Sequence, residues 1–387
     1  MIIPAAGLLL AVAAAFYTTA SALLLLRRRE RPVAAAGATA PSRPAVSILK
    51  PLCGAETHLA DCLRSFAGLH YEPMQLVFGV RSESDPAIAV VRRLQQEFPA
   101  RDIVLVVDPR VHGENLKASN LINMLPHALH DTVLISDSDV RVPPGYLDAV
   151  VQALAPAGVG SVTCLYRGRP GTGLWSRVAA LFVNDWYFPA ILVSQALGDT
   201  SFASGVTIAL RRSTIERMGG LEVLRDHLAD DWLLCEHVRR LGLKTVLAPV
   251  VVQTEVSESG FAAHASRELR WMRTIRTVAP LGYAFMGLSL GLPMAASGLA
   301  LAVGSPLLFP YAFGAAALTL CARVVIHLQQ RLRQGAGLGY DLALIPLRDC
   351  LLLAVWLAGF LGRGVTWRGK RYRVRDGGAL VPMNSND

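Results

Sequence analysis

The chain has 387 residues, 52% of them hydrophobic and 17% charged. With a mean hydropathy of +0.39, these figures exclude a disordered or collagen-like chain and argue against a fully water-soluble protein. Net charge is +9, and at this hydropathy it points to membrane surfaces and positive-inside loops, not to nucleic acid.

Residues 2–26 carry no charge. Such a run is long enough to cross a bilayer core of about 30 Å as a helix. It is too long for a signal-peptide core and lacks a basic start. Arg27, Arg28, Arg29 and Arg31 follow, which places Met1 outside and the next region in the cytoplasm. Residues 28–44, rich in Ala, Pro and Arg, read as a linker. From 45 to 276 the pattern becomes that of an α/β domain. Apolar runs at 46–49, 75–80, 103–107 and 132–136 predict strands, with further strands at 161–166 and 206–210. Stretches 59–66, 86–98 and 116–129 predict the helices between them. This alternation predicts a parallel sheet with crossover helices, which binds ligands at the C-terminal strand ends. Asp85 and the Asp137–Asp139 segment fall at such ends.

Three apolar stretches, 281–303, 306–328 and 342–361, make residues 277–363 a C-terminal membrane region. Only Gly304 and Ser305 separate the first two, which predicts a hairpin over 281–328. The third contains Pro346, Arg348 and Asp349. A charged pair in hydrocarbon is costly, so it should face protein or water. The expectation is a re-entrant or interfacial segment, which leaves the basic tail, 364–387, in the cytoplasm. None of the six cysteines forms a Cys-x-x-Cys pair, and no zinc-type grouping with His occurs, so reduced structural thiols are expected.

Several polar groups could carry chemistry. Asp137-Ser138-Asp139 follows an apolar run. Carboxylates at i and i+2 past a strand can share a hard divalent cation, Mg²⁺ or Mn²⁺, although a surface turn reads the same way. Asp230-Asp231 opens a helical stretch, either as dipole-favoured charge or as a general base beside a hydroxyl acceptor. Arg267 and Arg270-Trp271 precede the membrane segments. They suit phosphate and sugar or lipid contacts, or a plain interfacial flank. Asp85-Pro86 is a helix start or a nucleotide contact. Lys117, one of four lysines, is a surface residue or a phosphate contact. Neither a Walker loop nor Gly-x-Gly-x-x-Gly is present.

The order Asp85, Asp137-x-Asp139, Asp231, Arg267-x-x-Arg270-Trp271 resembles the motif set of family 2-like glycosyltransferases with a GT-A fold. The sharper resemblance is to ceramide glucosyltransferases and the bacterial hopanoid-biosynthesis glycosyltransferases. Val46-Ser47-Ile48-Leu49-Lys50-Pro51-Leu52, Lys117 with Asn120, and Trp367-Arg368-Gly369 with Tyr372-Arg373 extend it. It implies an α/β GT-A, Rossmann-like domain between membrane segments, in a bacterial inner membrane. It implies an inverting transfer of glucose or GlcNAc from UDP-glucose or UDP-GlcNAc to a hopanoid or ceramide hydroxyl. In that set Asp85 contacts the uridine, Asp137 the ribose or phosphates, and Asp139 the metal. Asp231 is the base, and Arg270 and Trp271 close on the diphosphate and acceptor. Asp139 departs from the animal ceramide enzymes, which leans to the bacterial branch. Rivals are another lipid acceptor, such as polyprenyl phosphate or diacylglycerol, and an inactive nucleotide-binding scaffold.

Overall fold

The computed structural model describes residues 1–28, 43–199, 203–337 and 341–383. The linker expected over 28–44 lies almost wholly outside them. The centre is an eight-stranded sheet. Its strands are β1 (Val46–Pro51), β2 (Met74–Val80), β3 (Asp102–Val107), β4 (Thr132–Ile135), β5 (Val140–Arg141), β6 (Val159–Pro170), β7 (Ile208–Arg211) and β8 (Lys244–Val256). The spatial order is β3-β2-β1-β4-β7-β6-β8-β5. β3, β2, β1 and β4 pair in parallel, as the alternation predicted.

The other half departs from an all-parallel sheet. β7 runs antiparallel to β4 and to β6, and the short β5 antiparallel to β8. The 13-residue β8 was not predicted, because burial alternates along most of it and the apolar signal is broken by Pro249, Gln253 and Glu255.

Alternate side chains of the central strands feed two cores. Ile48, Leu76, Phe78 and Leu134 face the helices Leu59–Ala67 and Ala87–Glu97. Leu49, Val77, Val133 and Ile135 face the helices Leu116–Met124 and Asp230–Arg240. A strand covered on both faces has to be a nearly continuous apolar run, which is why β1, β2 and β4 were legible.

Among the described residues, three helices are long and apolar enough to cross a membrane: Ile2–Arg27, Phe309–Arg333 and Asp341–Gly359. The predicted hairpin is corrected in its first half. Residues 280–302 form two helical pieces, Pro280–Ser289 and Gly291–Ala302, that meet at 70°. Gly287, Gly291 and Pro293 surround that break, where helix propensity is lowest. The helix Ile2–Arg27 packs on the second piece through facing glycines. A Cβ on Gly7 would stand 2.6 Å from the Gly298 carbonyl oxygen, so only glycine permits this approach.

The third stretch keeps its charges out of hydrocarbon through protein contacts. Arg348 is 1% exposed and donates to both oxygens of Glu268, at 2.6 and 2.8 Å. Arg323 bridges Asp349, at 3.1 and 3.0 Å, and Asp185, at 2.9 Å. His327 Nδ1 lies 2.8 Å from Asp185. The basic tail is a folded element. β9 (Gly364–Trp367), β10 (Lys370–Val374) and β11 (Leu380–Pro382) form an antiparallel sheet. It packs Val365, Tyr372, Val374 and Leu380 against Leu228. All six cysteines are free.

Candidate active site

The Asp137–Asp139 segment leaves the C-terminal end of β4. The chain then turns into β5, which docks on the far end of β8. That docking fixes Asp139: Thr254 Oγ1 donates to its carboxylate at 2.8 Å, and its carbonyl accepts from Glu255 N at 3.0 Å. Beneath the segment, Lys50 at the end of β1 is fully buried. Its ammonium donates to the Asp137 carbonyl at 2.6 Å and to Ser136 Oγ at 3.3 Å, and lies 3.9 Å from the Phe66 ring centroid. Burial pushes Lys50 down to about 8, against the pull of the nearby acids.

Asn115 caps the next helix by accepting from Lys117 N and Ala118 N, both at 2.9 Å. The cap places Lys117 in the first turn. Its ammonium bridges Asp137 at 2.7 Å and Asp230 at 3.1 Å. Asp231 sits beside Asp230 at the start of the helix Asp230–Arg240. Its carboxylate accepts from Gly205 N at 3.1 Å and from Trp232 N at 2.8 Å. A Cβ on Gly205 would stand 3.3 Å from Asp231 Oδ2 and 3.4 Å from Asp137 Oδ2. The two acids therefore converge on one glycine.

Arg267, Arg270 and Trp271 share one face of the helix Phe261–Val278, as i, i+3 and i+4 spacing requires. Arg267 pairs with Glu258 at 2.6 Å and lies over the Trp271 ring at 5.0 Å. Trp271 packs on Phe182 at 5.4 Å. On the buried side of the same helix, burial and then Arg348 push His264 down to about 4, and its Nε2 accepts from Arg348 at 3.1 Å.

These elements enclose one cavity of about 400 Å³. Lys117, Asp137, Asp139, Asp231, Arg267, Arg270 and Trp271 all line it. Asp85 does not. It sits past β2 and accepts from Gly54 N at 3.1 Å and from Ala87 N at 2.9 Å, shaping the loop after β1. A second hollow of about 330 Å³ adjoins across Asp139, Glu255 and Arg267, and reaches Glu56 and His58 of that loop.

Burial dominates the electrostatics. It pushes Asp139 up to about 6, with Asp137 adding to it. It pushes Asp231 up to about 6, with Asp230 adding and Lys117 opposing. Burial and then Arg267 push Arg270 down to about 10.

The sequence profile of glycosyl transferase family 21 matches residues 6–380, nearly the whole chain. The chain belongs to glycosyl transferase family 21. Ceramide glucosyltransferase 1 of Caenorhabditis elegans is 28% identical over 209 residues, 54% of this chain and 45% of the relative. Ceramide glucosyltransferase 3 of the same organism is 23% identical over 233 residues, 60% of this chain and 50% of the relative. The chain thus spans about half the length of these curated relatives. Among solved structures, a mannosyltransferase from Pyrobaculum calidifontis, in complex with GDP-Man and Mn²⁺, superposes with a TM-score of 0.52. It is 19% identical, and the match covers 93% of this chain and 99% of that one. The shared fold is of the GT-A type.

Several residues in or around the cavity escaped the sequence reading. Asp230 was noted only as part of an acidic pair, yet it is the second partner of Lys117. Lys50 carried a usable signal, a lysine inside a buried strand. Glu258 and Thr254 had none, since their roles depend on β8 and the helix that follows it. Trp367 and Arg368 belonged to a recognised tail motif but were not placed at the site.

Proposed function

We propose that this family 21 chain is a membrane-anchored, inverting glycosyltransferase. It moves glucose or GlcNAc from a UDP-sugar to the hydroxyl of a lipid acceptor, a hopanoid or a ceramide. The observation that carries the reading is Asp231. It lines the same cavity as Asp137 and Asp139, half-buried, with its carboxyl raised toward neutral pH. A carboxylate there takes the acceptor hydroxyl proton as the oxygen attacks the anomeric carbon and the bond to the diphosphate breaks. One displacement with one base inverts the anomeric centre.

The acid pair fits a divalent metal. Among the described residues no group of three or more metal-ligating side chains exists, so the protein offers two carboxylates and leaves the remaining positions to phosphate and water. Asp139 and Asp137 would hold Mg²⁺ or Mn²⁺, which supplies positive charge to the departing diphosphate. Asp137 Oδ1 is engaged by Lys117, while its Oδ2 faces Gly205 and the cavity. Lys117 orders Asp137 and Asp230, and Arg267 and Arg270 add positive charge to the cavity. Asp85, past β2 and hydrogen-bonded to the loop after β1, is the candidate uridine contact.

The lipid acceptor is supported by continuity with the apolar helices. The helix that carries Arg270 and Trp271 runs directly into Pro280–Phe285. Trp271 belongs to one apolar cluster with Phe182, Tyr283, Leu352 and Val355. An acceptor hydroxyl would arrive from the membrane side and the donor from the cytosol. The catalytic domain and the tail then lie on the cytoplasmic face of a bacterial inner membrane, and a cysteine in the tail that labels only from outside contradicts this.

The test is mass spectrometry of lipids made by the purified protein. It is given UDP-glucose and UDP-GlcNAc, Mn²⁺ or Mg²⁺, and a mixture of ceramide and a hopanoid polyol. A single hexose or N-acetylhexosamine on one lipid identifies both substrates. Intact UDP-sugars and no glycolipid from a folded protein would reject these acceptors.

A further inference from the structure

Four cations and five acids line the cavity, and the cations are unevenly paired. Lys117 is committed to Asp137 and Asp230, and Arg267 to Glu258. Two cations remain. Arg270 and Arg368 both line the cavity, and neither guanidinium has a hydrogen-bond or ion-pair partner among the described residues. They repel each other, and Arg368 is among the charges that push Arg270 down, after burial and Arg267. Two unpaired like charges facing one cavity form a site for an anion of matching charge.

The second of these arginines comes from a distant part of the chain. β9 and β10 pair Trp367 with Lys370, leaving Arg368-Gly369 as a two-residue hairpin turn. Arg368 has φ 48°, the only positive φ at a non-glycine position among the described residues, and Gly369 has φ 77°. Turn chemistry favours Asn, Asp or Gly at such a position, because a Cβ is strained there. The side chain that occupies it is exposed and unpaired. A strained turn that presents a free cation to a cavity is better explained by a ligand than by folding.

The hairpin is also anchored where the chemistry is. Leu228 N donates to the Gly378 carbonyl at 2.9 Å, and Leu380 N to the Asp226 carbonyl at 2.8 Å. These bonds fasten the C-terminal sheet to the segment immediately before Asp230 and Asp231. Its position relative to Asp231 is therefore set by backbone hydrogen bonds.

We infer that the C-terminal hairpin is part of the donor site, and that Arg368 grips the diphosphate of the sugar nucleotide together with Arg270. Trp367, which also lines the cavity, closes the wall beside it. The inference rests on the glycosyltransferase reading and assigns a donor-binding role to the tail motif.

The test compares UDP and uridine binding to the full-length protein in detergent, with Mn²⁺ present, for the native chain and R368N. Asparagine suits a left-handed turn, so R368N removes the cation and keeps the hairpin; R368K serves as a second variant that keeps charge without the fork. R368N is expected to weaken UDP roughly tenfold, in line with loss of a charge-assisted hydrogen bond, and to leave uridine unchanged. R368K is expected to fall between. UDP affinity within twofold of native in R368N overturns the inference, as does an equal loss for UDP and uridine. If the native chain binds no UDP and turns over no UDP-sugar, the transferase reading falls and this inference with it.

Discussion

The Lys117 ammonium lies 2.7 Å from the Asp137 carboxylate, and the same nitrogen lies 3.1 Å from Asp230. One cation thus joins the loop after β4 to the helix that carries Asp231. Those two segments are more than 90 residues apart in sequence. Without Lys117, Asp137 and Asp230 would lose the cation they share.

Lys117→Met should therefore damage both stability and donor binding. Removing one partner of a largely buried ion pair costs about 3 kcal/mol, because the remaining charge is left desolvated. A lowered Tm in detergent and weakened UDP-sugar binding are expected. An unchanged Tm would show that the contact has no structural weight.

Asp231→Asn should lower turnover by roughly 10²–10⁴ and retain UDP-sugar binding. Asparagine keeps one acceptor oxygen, enough for Gly205 N or Trp232 N but not both, and cannot take a proton. Single-turnover measurement with saturating donor separates the two effects. Near-native turnover would remove Asp231 from the base role.

Asp231 is raised to about 6 by burial, with Asp230 adding. The working form is the carboxylate, so kcat/KM should climb with pH and level off above an apparent value near 6. Stability runs the opposite way. The folded chain retains protons on Asp231 and Asp139 that the unfolded chain has released, so these two groups lower stability as pH rises from about 4 to about 6. A bound divalent cation should offset that loss. Mn²⁺ is thus expected to raise Tm more at pH 7.5 than at pH 5, and equal shifts at both values would contradict it.

Asp139→Ala should abolish the metal dependence of donor binding. Its carboxylate has one side-chain donor, Thr254, and is otherwise directed at the cavity. UDP titrations with and without Mn²⁺ provide the measure. Unchanged metal dependence would place the ion elsewhere.

Arg348→Met alone should be strongly destabilising, by about 3–5 kcal/mol, because it strands the fully buried Glu268. Pairing it with Glu268→Leu should recover much of the loss, since an apolar pair avoids the desolvation that the ion pair must overcome. Thermal denaturation of both variants in detergent decides between an ion pair that matters for stability and one that does not.

The four parallel strands and their helices were legible because sheets covered on both faces demand apolar runs, and those runs are local. The long helices were legible for the same reason, since hydropathy over about twenty residues is a local sum. Asp137, Asp139 and Asp231 were legible as strand-end and helix-start acids. What each of them touches was not. Asp139 depends on β8, some 115 residues away along the chain, and its partner Thr254 is anonymous in sequence. The bend at 286–291 was lost because hydropathy counts apolar atoms and does not see backbone direction. Arg348 and Asp349 looked like a defect in a membrane stretch, until Glu268 and Arg323 supplied partners from two other elements. Composition and periodicity alone determined that this is an α/β domain between apolar helices, because both depend only on which residues are neighbours in the chain. Tertiary structure decided which cations are spoken for and which, like Arg270 and Arg368, are left free, because charge pairing depends on distances that only the folded chain sets.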